Sequence, residues 1–422
     1  FLMSKKENFA KKIWRKIGPG FITGASDDDP SGIVIYSITG AKSWYNFLWT
    51  PIITLPLMIG IQELCGKIAL TTRKGLAGII KTIVHPYIAY SVAFLMFFAN
   101  TFNVAADLRA IADSLNLITN IPPEFWQIIT ALFVIIIITF LSYSKFANIM
   151  KIFTFSLFAY IASALMVKTN WVDVLHFTFL PKISFTKETF LMLAAILGTT
   201  ISPYLFFWQG NEEIEEIENR PELKPKKVRR EIKKMRADTI WGMFFSNLVM
   251  FFIILASANV LYSGSGVFTK NGLDTLSIKE IAGALRPIAG DLSYFLFALA
   301  IIGTGLLAIP VLSGGAAYIL SEVFGFSACL NKKVKDAKLF YLAISSSVFL
   351  GLILSFMPIR TIDLLFYTGV MFTILSPFLI FLILMISNNK KIMGDYKNNF
   401  WENSIGIITL IIMAVVSVLS FW

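Results

Sequence analysis

Apolar stretches long enough to cross a bilayer recur from one end of the chain to the other, parted by short polar loops. A helix rises 1.5 Å per residue, so ~30 Å of hydrocarbon needs ~20 residues. Spans are predicted at roughly 17–40, 46–69, 84–115, 122–142, 147–168, 188–211, 238–262, 289–324, 338–357, 361–387 and 403–421, eleven in all. No segment between them has room for a soluble domain. The pattern predicts an all-α polytopic membrane protein of about 11 transmembrane helices, read as one transmembrane domain over 1–422.

Charge then orients the spans. Basic residues gather on alternate loops: the stretch Lys11-Lys12-Ile13-Trp14-Arg15-Lys16, Arg73-Lys74, Lys145 and Lys151, residues 224–236, Lys332-Lys333-Lys335, and Lys390-Lys391. The excess of Lys and Arg on the cytoplasmic side predicts a cytoplasmic N-terminus and, with an odd number of spans, an extracytoplasmic C-terminus in a cell (inner) membrane. The composition agrees, with 56% hydrophobic, 14% aromatic and only 15% charged residues among 422. The mean hydropathy is +0.72. So few charges cannot cover a soluble surface. The net charge of +11 therefore belongs to the loops. The bilayer is the expected partner, with no nucleic acid and no obligate protein partner. The loop from Glu212 to Arg236 runs acidic and then basic. It is expected to be a solvated helical hairpin tethered to headgroups through its basic half; an acidic vestibule is the other reading. The basic stretch leads into a span holding three aspartates, unlike the apolar core of a cleavable signal.

Two spans are interrupted. Asp27-Asp28-Asp29 falls near the middle of the first and is followed by Pro30-Ser31-Gly32. Charges at that depth are costly unless they face a cavity. Proline removes a backbone donor and glycine tolerates non-helical dihedrals, so the helix should unwind there. The sixth span carries a matching interruption, Gly198-Thr199-Thr200-Ile201-Ser202-Pro203-Tyr204. Two broken spans five apart point to an inverted-repeat transporter with its site where the breaks meet. A pair of plain proline kinks is the competing reading.

At these residues the chain resembles the natural resistance-associated macrophage protein family of divalent-metal transporters. Gly18-Pro19-Gly20-Phe21, Asp29-Pro30, Leu48-Trp49, Asp107, Pro203 and Gly303-Thr304-Gly305-Leu306-Leu307 carry the likeness. It covers essentially the whole chain. The resemblance implies a LeuT-type fold, with an inverted 5+5 repeat over 17–168 and 188–387 and an eleventh helix, 403–421, appended. It also implies a metal as transported substrate and no cofactor.

The chain departs from the family pattern at the metal ligands. Ser31 and Gly32 replace the glycine and asparagine of an Asp-Pro-Gly-Asn motif. Thr199, Ser202 and Tyr204 stand where an alanine, a methionine and a histidine are expected, and Gln209 replaces a second histidine. Ala110 stands where a glutamate is expected after Asp107. Removing thioether and amide leaves oxygen ligands, which suit magnesium, calcium and manganese. The site is also roomier, and magnesium usually keeps several waters beside one or two carboxylates. Loss of the histidines and the glutamate removes groups that relay protons. This pattern resembles the bacterial magnesium-transporting branch related to the family.

The expected ligands are Asp29, Gly32 through its backbone, Thr199 and Ser202. Asp27, Asp28, Ser31, Tyr204, Gln209 and Asp107 are expected to line the path or back the ligands. Elsewhere in the spans, Arg109 and Asp113 form either a path with Asp107 or a structural pair. Asn100 and Asn103 are expected to hydrogen-bond between helices, and Glu63 to pair with Lys67 one turn on. The expected activity is transport of Mg2+ (also Mn2+) by alternating access without proton coupling. The alternatives are a proton-coupled Mn2+/Fe2+ symporter and a sodium-coupled organic-solute carrier. Cys65 and Cys329 form no motif, His85 and His176 are the only histidines, and no hydrolase or zinc-protease motif occurs, so an enzyme is not expected.

Overall fold

The computed structural model describes residues 18–140, 157–217, 225–262, 277–282, 290, 293–330 and 332–422. Among these the chain is helical, with no strand. In order the helices are α1 (Pro19–Asp27), α2 (Pro30–Ser43), α3 (Thr50–Thr72), α4 (Leu76–Ile83), α5 (Pro86–Thr119), α6 (Pro123–Phe140), α7 (Phe158–Met166), α8 (Trp171–Phe179) and α9 (Lys187–Thr200). They continue with α10 (Pro203–Ile217), α11 (Pro225–Val260), α12 (Ile278–Ala282), α13 (Ser293–Phe324), α14 (Lys338–Ser355), α15 (Thr361–Asn388), α16 (Lys390–Met393) and α17 (Phe400–Leu419).

Nine helical stretches among the described residues are long and apolar enough to cross a membrane, with α9 and α10 counted as one. The broken first span adds α1 and α2, each too short alone. The fifth expected span, 147–168, is described only from residue 157, where α7 forms. Lys145 and Lys151, the basic N-terminal stretch and most of the 263–288 loop lie outside the described residues. Burial sorts centre from periphery. The α9–α10 stretch is 89% buried, whereas α6 and α17 are 28% buried and turn Phe133, Ile136, Ile407 and Ile411 outward as a hydrocarbon-facing surface.

Both breaks follow one design. α1 ends at Asp27, Asp28 leaves the helix (φ −84°, ψ 51°), and Asp29 is extended (φ −68°, ψ 173°) before Pro30 restarts the helix as α2. α9 ends at Thr200, Ile201 turns out (φ −108°, ψ 60°), and Pro203 opens α10. Proline suits a first helical turn because that turn's N–H has no intrahelical acceptor. The dihedral escape needs no glycine. It occurs on aspartate and isoleucine.

Close backbone packing seats α1 against α11. A Cβ at Gly24 of α1 would lie 2.3 Å from the Gly242 carbonyl carbon of α11, and one at Gly20 would lie 2.7 Å from Thr239 N of α11. Small residues four apart let membrane helices touch along their backbones. Asp238 of α11 completes the seat by accepting the N–H groups of Gly18 and Phe21 at 3.0 and 3.1 Å. It satisfies donors that the first turn of α1 leaves open.

Two expectations are corrected. Glu63 pairs not with Lys67 but with Arg236 of α11 (2.8 Å), because α3 and α11 lie side by side; Lys67 pairs with Glu402 of α17 (2.9 Å). The acidic half of the Glu212–Arg236 segment is largely buried where it is described, with only Glu216 exposed and Glu218 outside the described residues. α10 runs on to Ile217 with Glu212, Glu213 and Glu215 buried, and Glu215 accepts hydrogen bonds from the Tyr318 hydroxyl and from Leu330 N–H. Of the two readings left open for Asp107, Arg109 and Asp113, the contacts favour a structural role for the last two, whose charges interact near the end of α5. Arg109 donates to the Ser355 and Met357 carbonyls, and Asp113 accepts from Thr361.

Candidate cation site

Asp29 organises the first break. Its Oδ1 accepts from the Ser31 hydroxyl (2.5 Å) and the Gly32 N–H (2.9 Å), which caps α2. Its Oδ2 accepts from the Asn103 amide of α5 at 2.9 Å. The second break arrives from the opposite side, where Thr199 Oγ1 lies 3.3 Å from Ser31 Oγ. Gly32 makes this approach possible. A Cβ there would already lie 3.3 Å from the Asp27 carbonyl oxygen, from Thr199 Oγ1 and from the Tyr36 ring.

Of the expected ligands, Asp29, Gly32 and Thr199 are thus brought together, with Ser31 between them. Ser202 is buried and donates back to the Gly198 (3.0 Å) and Thr199 (2.7 Å) carbonyls. Its lone pairs, rather than its proton, remain for an ion. Tyr204 donates to the Ser26 carbonyl at 2.9 Å, tying α10 to α1. Gln209 leaves the break and donates to Thr239 of α11 at 2.7 Å. Asp27 and Asp28 share the Ser246 hydroxyl of α11 at 3.2 and 3.3 Å. Asp107 is buried on α5, close enough to Asp29 for their charges to interact.

The sequence gives no sign of Ser246, or of the Tyr36–Thr200 hydroxyl contact (3.1 Å) that joins α2 to α9 behind the breaks. Asn103 was legible only as an interhelical donor. The signal for more was its spacing: Asn100, Asn103 and Asp107 fall on one face of α5. Asn100 donates to the Leu312 carbonyl of α13.

The site's unmet demand is uniform in kind. Asp27 Oδ1, Asp28 Oδ2, both Asp107 oxygens, Asn100 Oδ1 and Asn103 Oδ1 are buried with no hydrogen-bond partner among the described residues. All six atoms are acceptors. Buried acceptors left unpaired are costly, and a cation with its water shell satisfies several at once. Among the described residues no three His, Cys, Asp or Glu side chains converge as a metal cluster. The other oxygens at the two breaks belong to the Ser31, Thr199 and Ser202 hydroxyls and to backbone carbonyls. One thioether is near, with Met250 Sδ 3.9 Å from Thr200 Oγ1.

Two helices broken at corresponding depth, with polar oxygens meeting between them, define a membrane transporter of the LeuT-type inverted-repeat class. Residues 20–422 match the natural resistance-associated macrophage protein-like family, and the chain belongs to it. It is a transporter and not an enzyme. A relative in Caldanaerobacter subterraneus subsp. tengcongensis, the divalent metal cation transporter MntH, is 23% identical over 407 residues, covering 94% of this chain and 90% of that one. The Eremococcus coleocola manganese transporter superposes with a TM-score of 0.77 at 19% identity, over 98% of this chain and 87% of that one. A sodium-coupled sialic acid symporter shares the fold at TM-score 0.59 and 13% identity, over 94% and 89%.

Proposed function

We propose that this protein transports a hard divalent cation, magnesium first and manganese second, by alternating access and without proton coupling. The divalent-metal cargo is supported by the family and by relatives named for divalent metal and manganese. The choice of a hard ion rests on one observation. The side chains that meet at the two breaks, Asp29, Ser31 and Thr199, offer oxygen only, with Ser31 and Thr199 3.3 Å apart. Asp29 is the principal ligand. Thr199, Ser202 and the backbone near Gly32 add oxygens directly or through retained water. Asp27 and Asp28 form the acidic approach.

Absence of proton coupling is supported by what replaces the family's relay groups. Tyr204 and Gln209 are committed to Ser26 and Thr239, and Ala110 carries no acid. One observation favours a proton-coupled manganese symporter instead: Asp107 is buried within electrostatic reach of Asp29, and neither of its oxygens has a hydrogen-bond partner among the described residues. We place the N-terminus in the cytoplasm and the C-terminus outside the inner membrane, on the loop charges alone.

Proteoliposomes loaded with a divalent-ion dye and a pH dye decide between these readings. Uptake of Mg2+ and Mn2+ with constant lumenal pH is expected, and Asp29→Ala is expected to abolish it. Lumenal acidification that tracks Mn2+ entry establishes the symporter. Asp29→Ala vesicles that fill as fast as the parent remove the site from Asp29.

A further inference from the structure

Asn103 is buried on α5, and its Nδ2 donates to Asp29 Oδ2 at 2.9 Å. Its own Oδ1 has no hydrogen-bond partner among the described residues. The two Asp29 oxygens therefore differ in duty. Oδ1 holds the start of α2 through Ser31 and Gly32, while Oδ2 faces an amide from another helix.

A cation on Oδ2 competes with an N–H aimed at the same lone pairs. The terminal torsion of asparagine is broad and roughly two-fold, so a half-turn is accessible. That half-turn exchanges Nδ2 for Oδ1 at nearly the same place, turning a donor into an oxygen acceptor. It also swings the NH2 away from Asp29. Asp107, one turn along the same face of α5, has both carboxylate oxygens without a hydrogen-bond partner among the described residues and can take it. One rotation would thus supply the cation with a ligand and Asp107 with a donor.

We infer that Asn103 is a ligand of the transported cation, its amide oxygen joining Asp29 by this rotation, and that it helps set the preference for hard ions. The inference rests on the reading that Asp29 binds the cation. A residue that merely props Asp29 would affect every ion alike, whereas a ligand changes which ion is preferred.

The test is isothermal titration of the full chain in detergent with Mg2+, Mn2+ and Cd2+, comparing the parent with Asp29→Ala, Asn103→Leu, Asn103→Met and Asn103→Asp. Asn103→Leu is expected to weaken Mg2+ binding by roughly tenfold or more. Asn103→Met offers a soft sulfur, so the ratio of Cd2+ to Mg2+ affinity is expected to rise by roughly tenfold. Asn103→Asp, nearly isosteric and still an oxygen ligand, is expected to keep Mg2+ binding, and it carries the test if the methionine variant does not fold. Equal weakening of all three ions in Asn103→Met, or loss of Mg2+ binding in a folded Asn103→Asp, overturns the inference. If Asp29→Ala alone abolishes binding while the Asn103 variants match the parent, the site stands and the role of Asn103 falls. If Asp29→Ala binds as the parent does, the site reading fails and takes the inference with it.

Discussion

Gly32 governs how much room the first break has. A single methyl group there would lie 3.3 Å from the Asp27 carbonyl, from Thr199 and from Tyr36, so any side chain narrows the site. Gly32→Asn is expected to lower Mg2+ uptake by about tenfold while sparing Mn2+ better, since a ligand amide replaces space that a hydrated ion needs. Competition between the two ions for uptake measures this. Asp29-Pro30 was legible in the sequence because a mid-span charge and a proline carry their costs anywhere. The partners of Tyr204 and Gln209 were not. Their side chains end on Ser26 and Thr239, and that choice is made by neighbouring helices rather than by local spacing. Glu63 gives the same lesson, because one-turn spacing names Lys67 while the adjacent helix supplies Arg236.

At the scale of elements, α1 is a nine-residue helix held by α11. Its seat is glycine against glycine plus the Asp238 cap, with no long apolar side chain needed at the crossing. Gly24→Leu drives a side chain into the Gly242 backbone and is expected to destabilise the protein by about 1–3 kcal/mol, the usual range for overpacking. A lower melting temperature in detergent reads it out. The breaks themselves were legible as Asp-Pro and Ser-Pro interruptions. The continuation of α10 through buried glutamates was not, because those charges look solvated until Tyr318 and Leu330 are brought against Glu215.

For the molecule as a whole, α17 is appended at the periphery of the bundle, yet it is fastened by charge. Glu402 accepts from Lys67 of α3 and from Arg236 of α11, which also pairs with Glu63. Glu402→Ala leaves buried Lys67 with Asn398 as its hydrogen-bond partner and Glu63 as the nearby carboxylate, and is expected to cost about 1–3 kcal/mol, between exposed and buried pairs. Thermal melts of this variant and of Lys67→Met/Glu402→Leu check it, the double change costing less than the sum of its parts.

The 3.3 Å approach of Ser31 to Thr199 brings together two helices from opposite halves of the chain. On the proposed site, cargo lodged between them would act as a temporary cross-link, adding stability for as long as it stays. At about a hundred times its dissociation constant, a ligand of the folded state adds about 2.7 kcal/mol. Resistance to heat thus becomes a gauge of cargo: the ion this protein was built to carry is the one that, at a given concentration, most delays its melting.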